Sequence, residues 1–315
     1  MKIYHGINNF KRLPYAVVTS GTFDGVHKGH QKILKRVVEV ARKEGGESVL
    51  ITFWPHPRIV LNNKTGFLKL INTIDEKQQI LRSIGIDHMV MIPFTKEFSN
   101  TTSEEFIQNI LVEAIGTRIL IIGYNHRFGK NREGSFESLV GEGPHYGFEV
   151  EEIPKHEMDH VGISSTIIRK ALNTGDVSRA RKYLGRSFSL TGLIIHGDKL
   201  GSKLGFPTAN IQVEETYKLI PADGVYAVYV TLDGITYQGM LNIGMRPTVN
   251  GNEKRIEVNI FDFDKKIYGK MVTITFVKRI RDEIRFENIE SLSRQLSKDR
   301  QNAIHILSSH KDDHQ

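Results

Sequence analysis

The sequence predicts two domains of different class: an α/β unit built on a parallel sheet, then an all-β antiparallel barrel carrying a terminal helix. Three observations predict this. The chain has 315 residues, beyond the roughly 250–300 at which a single core stops growing. Its first half alternates short apolar runs with segments of helical periodicity, the pattern of strand–helix–strand crossovers. From Phe188 onward that alternation gives way to closely spaced strand-like runs broken by turn dipeptides.

The elements follow in order. Ala16–Ser20 is a short apolar run, and Gln31–Lys43 repeats apolar residues at 33, 34, 37, 38 and 41, which is helical spacing. Ser48–Phe53 reads as a strand, Glu76–Ile84 as a helix and His88–Ile92 as a strand. Thr102 to Ile115 is helical, opening at Thr102 or Ser103 with acids behind the cap. Arg118–Gly123 is a further strand, and Ser165 to Tyr183 is helical. The change of pattern places a domain boundary near residue 185, giving domains 1–184 and 185–315. The second half offers strands at Leu190–Ile195, Gly224–Leu232, Thr236–Ile243, Ile256–Phe263 and Met271–Ile280, with turns at Asp233-Gly234 and Asn250-Gly251. A last helix, Ser291–Leu307, has apolar residues at 292, 296, 303, 304 and 307, and a short polar tail follows.

Composition narrows the function. With 39% hydrophobic and 25% charged residues the chain reads as an ordinary globular protein. Cysteine is absent, which excludes disulfides, thiolate metal sites and a cysteine nucleophile. The N-terminus lacks the apolar stretch of a secretory signal, and the longest apolar runs are strand-sized, so no membrane association is expected and the cytoplasm is the natural compartment. The net charge of +7 suits a polyanionic partner, but the positive residues are dispersed and the densest cluster, Phe276 to Arg285, holds acids within it. Nucleoside phosphates fit that balance better than nucleic acid.

Two constellations carry chemistry. Gly21-Thr-Phe-Asp-Gly-Val-His-Lys-Gly-His30 lies between the first strand and the first helix, where open α/β sheets bind phosphates at helix N-termini. Gly21, Gly25 and Gly29 permit tight turns and close approach of a polyphosphate, and His27 and His30 can donate hydrogen bonds without a fixed charge. Ser164, Ser165 and Thr166 are cap-type residues opening a helix with Arg169 one turn on, together an anion site of hydroxyls, N–H groups and a guanidinium. Standing alone, either segment also reads as a plain glycine loop with surface histidines, or a plain cap with a surface arginine.

With its neighbours, the first string resembles the H-x-G-H signature of the nucleotidyltransferase superfamily, in the version found in bacterial bifunctional riboflavin kinase/FAD synthetases. Phe53-Trp-Pro-His-Pro57 resembles that family's T-F-x-P-H-P segment, Gly123-Tyr-Asn-His-Arg-Phe-Gly129 its G-x-D-F-R-F-G loop, and Ser164 to Arg169 its S-S-T-x-I-R segment. The resemblance implies ATP contacts at Gly21, Phe23, Asp24, Gly25, Gly29, Ser164, Ser165 and Thr166, catalytic roles for His27, His30 and Arg169, and flavin contacts at His56, Pro57, Asn125, Arg127 and Phe128. Asn125 stands where the family has Asp, and His126 where Phe is common.

Gly192 to Asn210 opens the second domain and resembles the riboflavin kinase signature ending in G-F-P-T-A-N. The resemblance implies that Thr208 and Asn210 hold Mg²⁺ with ATP phosphates, that Gly197, Gly205 and Pro207 lie against ATP, and that Glu257 is the catalytic base. It places Arg279, Arg281 and Phe286 on the flavin side, and it departs from the family at Asn259, where His is common. As a lone residue Glu257 reads more often as a solvated strand acid. The implied reactions are phosphorylation of riboflavin to FMN by ATP, then adenylylation of FMN to FAD with release of pyrophosphate. The implied ligands are therefore ATP, Mg²⁺, riboflavin, FMN and FAD, on a monomer or weak homo-oligomer. Two alternatives stand beside this: retention of only one activity, kept open by Asn125 and Asn259, and a flavin-binding regulator acting on nucleic acid.

Overall fold

The computed structural model describes residues 1–315 except 62–67, 125, 131–132, 135, 155–161, 198–200, 202–203, 249–250 and 311–315, with the backbone alone at 246–248 and 251–253. Packing divides the chain into two units, Met1–Ser165 and Thr166–Gln315.

The first unit is a six-stranded parallel sheet, in which β1 is Lys2–His5, β2 Ala16–Ser20, β3 Glu47–Trp54, β4 His88–Pro93, β5 Thr117–Gly123 and β6 Glu149–Ile153. Their spatial order is β1-β4-β3-β2-β5-β6, and every pairing is parallel. β2 is wholly buried, as a central strand covered on both faces must be. Val17 and Val18 point to opposite sides, one into each of two apolar cores. From β2 the chain builds outward first through β3 and β4, then on the other side through β5 and β6. The crevice beyond the carboxyl ends of β2 and β5 is therefore the topological switch point, where such sheets bind ligands.

Helix α1 spans Lys28–Lys43, and the expected positions 33, 34, 37, 38 and 41 are all buried. It begins three residues earlier than periodicity suggests because His27 caps it. Short helix α2 is Pro57–Leu61. α3, Ile74–Ile84, opens at Thr73 with a capping box to Glu76 and stops at left-handed Gly85. Thr102 caps α4, again with a capping box, through Glu105; this helix starts at Ser103 and continues as a π-wound stretch, Phe106–Ile115, ending at left-handed Gly116. α5 is Phe136–Tyr146.

The division falls one residue into α6, Ser165–Asn173, and the second unit takes the rest of that helix and α7, Val177–Leu184. The sequence suggested one helical segment here; Gly175 at φ 76° breaks it, and Asp176 recaps the chain by accepting from the Arg179 N–H. Ala222 N–H donates to Leu172 C=O, so α6 is bonded to the barrel. Packing thus changes at 165/166, whereas the sequence pattern changes near 185.

The barrel comprises β7 Ser189–Ile195, β8 Ala209–Gln212, β9 Gly224–Leu232, β10 Ile235–Thr248, β11 Gly251–Ile260 and β12 Met271–Arg281. It closes in the order β10-β11-β8-β7-β12-β9. Asp233 (φ 50°) and Gly234 (φ 79°) form the expected tight hairpin turn, while Asn250 lies outside the described residues. The terminal helix α8, Ile289–Ser308, is capped by Asn288. Its Ala303 and Leu307 join a core with Ala227, Met240 and Val277, yet Ile304 is exposed and the buried residue in the middle of the helix is an acid, Asp299. That carboxylate accepts from the Arg281 guanidinium at 2.8–3.1 Å and from Gln295 Nε2 at 2.9 Å. Asp299→Ala would leave Arg281 without its buried partner and should destabilise the second unit by about 3 kcal/mol. Calorimetry checks this, with the fluorescence of Trp54, the only tryptophan, unchanged because it reports the first unit.

Candidate functional site

The loop after β2 follows a costly backbone path. Gly21 and Gly25 have φ 155° and 84°, but so do two side-chain-bearing residues lie at positive φ, Phe23 at 45° and Val26 at 37°. A β-branched residue there costs on the order of 1–3 kcal/mol and persists only where its surroundings over-determine it. They do so here. The Thr22 carbonyl accepts Lys77 Nζ at 2.8 Å, the Asp24 carbonyl accepts the Ser165 hydroxyl at 2.9 Å, and the Val26 carbonyl accepts Gln31 Nε2 at 2.8 Å. The Asp24 carboxylate accepts the Ile71 N–H at 3.0 Å, and Phe23 and Val26 are buried in the core. At Gly25 an added Cβ would come within 2.9 Å of Ile71 Cδ1, so the glycine is required for packing as well as for its φ.

This loop delivers the two histidines. His27 caps α1, its Nδ1 accepting the His30 N–H at 3.3 Å. That bond leaves the His27 ring proton on Nε2. The two rings stack at 3.5 Å and 19°, and Phe23 packs on His30 at 4.9 Å. Gly29 lies buried in the first turn between them.

The other first-unit residues singled out by sequence fall around this crevice or beside it. The Asp24 carboxylate is turned into the protein, onto Ile71 and Asn72. His126, the departure in the loop after β5, reaches back to β2, its Nε2 3.4 Å from Ser20 Oγ, and stacks near Phe128 at 5.9 Å. Arg127 is exposed and Phe128 buried, while Asn125 lies outside the described residues. His56 is buried and its Nδ1 accepts the Arg58 N–H at 3.1 Å, with Pro57 as the first residue of α2. Ser165 touches the loop, Ser164 is half-buried and Thr166 is exposed. Arg169 lies one turn further along α6 and packs with the second unit.

Phe94, Phe98, Phe106 and Lys77, which the sequence left unremarked, pack beside residues it singled out. Phe53, Phe94 and Phe98, at the ends of β3 and β4, have ring centroids within 6.0 Å of one another, and Phe106 links them to Phe128. Lys77 is buried in α3. Burial pushes its ammonium down to about 8, opposed by the pull of Asp24. The unfolded chain thus keeps that proton up to the ordinary 10.5 while the folded chain gives it up near 8, and folding becomes more favourable as pH rises through that window. Relative to Lys77→Met, the wild-type denaturation midpoint read from Trp54 should rise across those values.

The second constellation is a row across the barrel wall. Glu257 on β11 stands opposite Asn210 on β8 and opposite Asn242 on β10. Directly opposed residues share a face, with Cβ atoms about 5 Å apart. Thr208 lies two residues before Asn210, with its hydroxyl close to Gly201. The Asn210 side chain fills the space where a Cβ on Gly197 would sit. Gly205 is left-handed at φ 80°, and Asn259 Nδ2 donates to the Pro207 carbonyl at 2.7 Å. Asn259, a departure from the family, therefore ties the loop to β11. Arg255 Nη1 is 4.0 Å from Glu257 Oε1.

Arg279 and Arg281 are committed to the protein. Arg279 bonds the Asp223 carbonyl and pairs with Asp282 at 2.7 Å; Arg281 holds Asp299 and lies 5.8 Å over the Phe286 ring. A cleft of about 630 Å³ opens between Leu204 and the first turns of α8, at Ile289, Glu290, Ser293 and Arg294.

Fold and site together define a class: an α/β nucleotidyltransferase-type domain joined to a riboflavin kinase-type barrel. The FAD synthetase family model matches residues 10–167 and the riboflavin kinase model residues 184–307. The chain is 39% identical over 304 residues to a bifunctional riboflavin kinase/FMN adenylyltransferase of Buchnera aphidicola, covering 95% of this chain and 96% of that one. It is 38% identical to the protein so named from Listeria monocytogenes, over 90% of each. A crystal structure from Streptococcus pneumoniae, described as a macrolide-efflux protein, superposes with a TM-score of 0.87 at 33% identity, over 96% of this chain and 98% of that one. Among the described residues no helix is long and apolar enough to cross a membrane. The chain belongs to the bifunctional riboflavin kinase/FMN adenylyltransferase family.

Proposed function

We propose that this chain makes both flavin cofactors: residues 185–315 transfer the γ-phosphoryl group of ATP to riboflavin, giving FMN and ADP, and residues 1–184 transfer AMP from a second ATP to FMN, giving FAD and pyrophosphate. The observation that carries this reading is the coincidence of the two built loops with the two family matches, His27–His30 within 10–167 and Thr208–Asn210 within 184–307.

In adenylyl transfer the FMN phosphate is already an anionic nucleophile, so no strong base is needed. Positioning and hydrogen bonding to the triphosphate do the work. The stacked imidazoles of His27 and His30 supply preorganised donors, the glycines at 21, 25 and 29 admit the phosphates, and Ser165 adds a hydroxyl bonded to the loop; the family resemblance adds Ser164, Thr166 and Arg169 as anion contacts. The isoalloxazine is received by His56, Pro57 and Arg127, on loops backed by the tilted, core-packed aromatics Phe53, Phe106 and Phe128.

In phosphoryl transfer the ribityl hydroxyl loses its proton as it attacks, and Glu257 accepts it. The oxygen donors of Thr208 and Asn210, two residues apart, fit Mg²⁺, which takes hard oxygen ligands and shares phosphate oxygens, and the register sets Glu257 opposite Asn210. When bound, the ion neutralises charge on the phosphates. Gly197, Gly205 and Pro207 shape the loop against ATP. With Arg279 and Arg281 already paired, their part is to hold α8 and the strand end that border the flavin, with Phe286 stacked beside them.

The reading is tested by assaying the halves separately. Riboflavin with ATP and Mg²⁺ should yield ADP and FMN, and FMN with ATP should yield pyrophosphate and FAD. Failure of either would remove the activity assigned to that domain.

A further inference from the structure

We propose that Lys77 is a positioning residue for adenylyl transfer, holding the backbone of Thr22–Val26 in the left-handed course that sets the stacked pair His27 and His30. The proposal rests on reading the first domain as the adenylyltransferase.

The connections form a closed ring. From α3, Lys77 Nζ donates to the Thr22 carbonyl at 2.8 Å. Two residues on, Asp24 faces the same ammonium, and its carboxylate accepts the N–H groups of Ile71 and Asn72. Those residues run directly into Thr73, the cap of α3. Loop and helix therefore lock one another, and the lock brackets Phe23 and ends two residues before Val26, the two positions whose side chains make positive φ unfavourable. Releasing Thr22 frees the backbone to relax toward ordinary φ values. Five residues on from Thr22 stands His27, whose cap bond and stacking fix His30.

The choice of residue also points to function. Lys77 is 6% exposed, and burying an ammonium is unfavourable compared with a neutral donor. A tie to one carbonyl needs no charge, whereas a loop that receives a polyphosphate gains from a fixed positive group bonded to its own backbone. The lowered proton affinity noted above is the mark of that burial.

The test uses the full chain with Lys77→Met, His30→Ala and the double variant. FAD formation from FMN and ATP is measured, riboflavin phosphorylation serves as the control for the second domain, and Trp54 fluorescence reports that the first domain is folded. Lys77→Met should lower kcat for FAD formation about 10²-fold, the size of a misplacement effect, with KM for ATP within about threefold. In the His30→Ala background the same substitution should cost less than about threefold, because both act through one group. A side chain that only fills space would instead multiply its loss with that of His30→Ala. A folded Lys77→Met with kcat near wild type, or multiplying losses, overturns the proposal. Should Lys77→Met lose the folded Trp54 signal, Lys77→Gln is held to the same criteria. A wild-type chain that forms FMN but no FAD would sink the reading of the first domain, and the proposal with it.

Discussion

His30→Ala should reduce FAD formation by about 10²–10³-fold, the usual loss for one preorganised donor to developing negative charge, while leaving FMN formation unchanged. The structure makes this substitution clean. The bond that caps α1 runs from the His30 backbone N–H to His27 Nδ1, so alanine preserves it and the His27 tautomer. Alanine is also the best helix former, and this position lies in the first turn of α1. What is removed is the ring stacked on His27 at 3.5 Å and packed on Phe23. Assay of both reactions on one preparation checks the outcome, since the riboflavin kinase family match lies wholly in residues 184–307.

Glu257→Gln should do the reverse. Removing a general base costs typically 10²–10⁴-fold, so riboflavin phosphorylation should fall by about that range while supplied FMN is still converted to FAD. Glutamine keeps the size of the side chain and the register with Asn210 and Asn242. The Glu257 carboxylate is partly exposed, and Arg255 is its ion-pair neighbour at 4.0 Å, a distance that carries little stability. Lost activity in a folded variant would therefore report chemistry.

The two fold classes were legible because the strongest signals are the longest-range ones. β2 to β5 carry apolar runs and α1 a clean stripe, and all are present. The edges were not legible. β1 has four residues and β6 reads Glu-Val-Glu-Glu-Ile, because edge strands bury little and need no apolar run. β8, Ala209–Gln212, is hidden inside a motif that reads as a loop. In α8 the apolar pattern put Ile304 inward, but an ion pair from Arg281 drew Asp299 in instead. The same limit applies to the sites. Spacing along the chain singled out His27 and His30, and family resemblance Asn210 and Glu257, yet stacking and cross-strand register are three-dimensional facts. Lys77 gave no signal at all, since a lysine in an amphipathic helix reads as a solvated residue.

One time course tests the account most directly. Purified protein is given riboflavin, ATP and Mg²⁺, and flavins and nucleotides are separated as the reaction proceeds. The account predicts that FMN rises first and FAD follows, with ADP equal to the sum of FMN and FAD and one pyrophosphate released for each FAD formed. FAD appearing without prior FMN, or FMN accumulating with no FAD and no pyrophosphate, would contradict it.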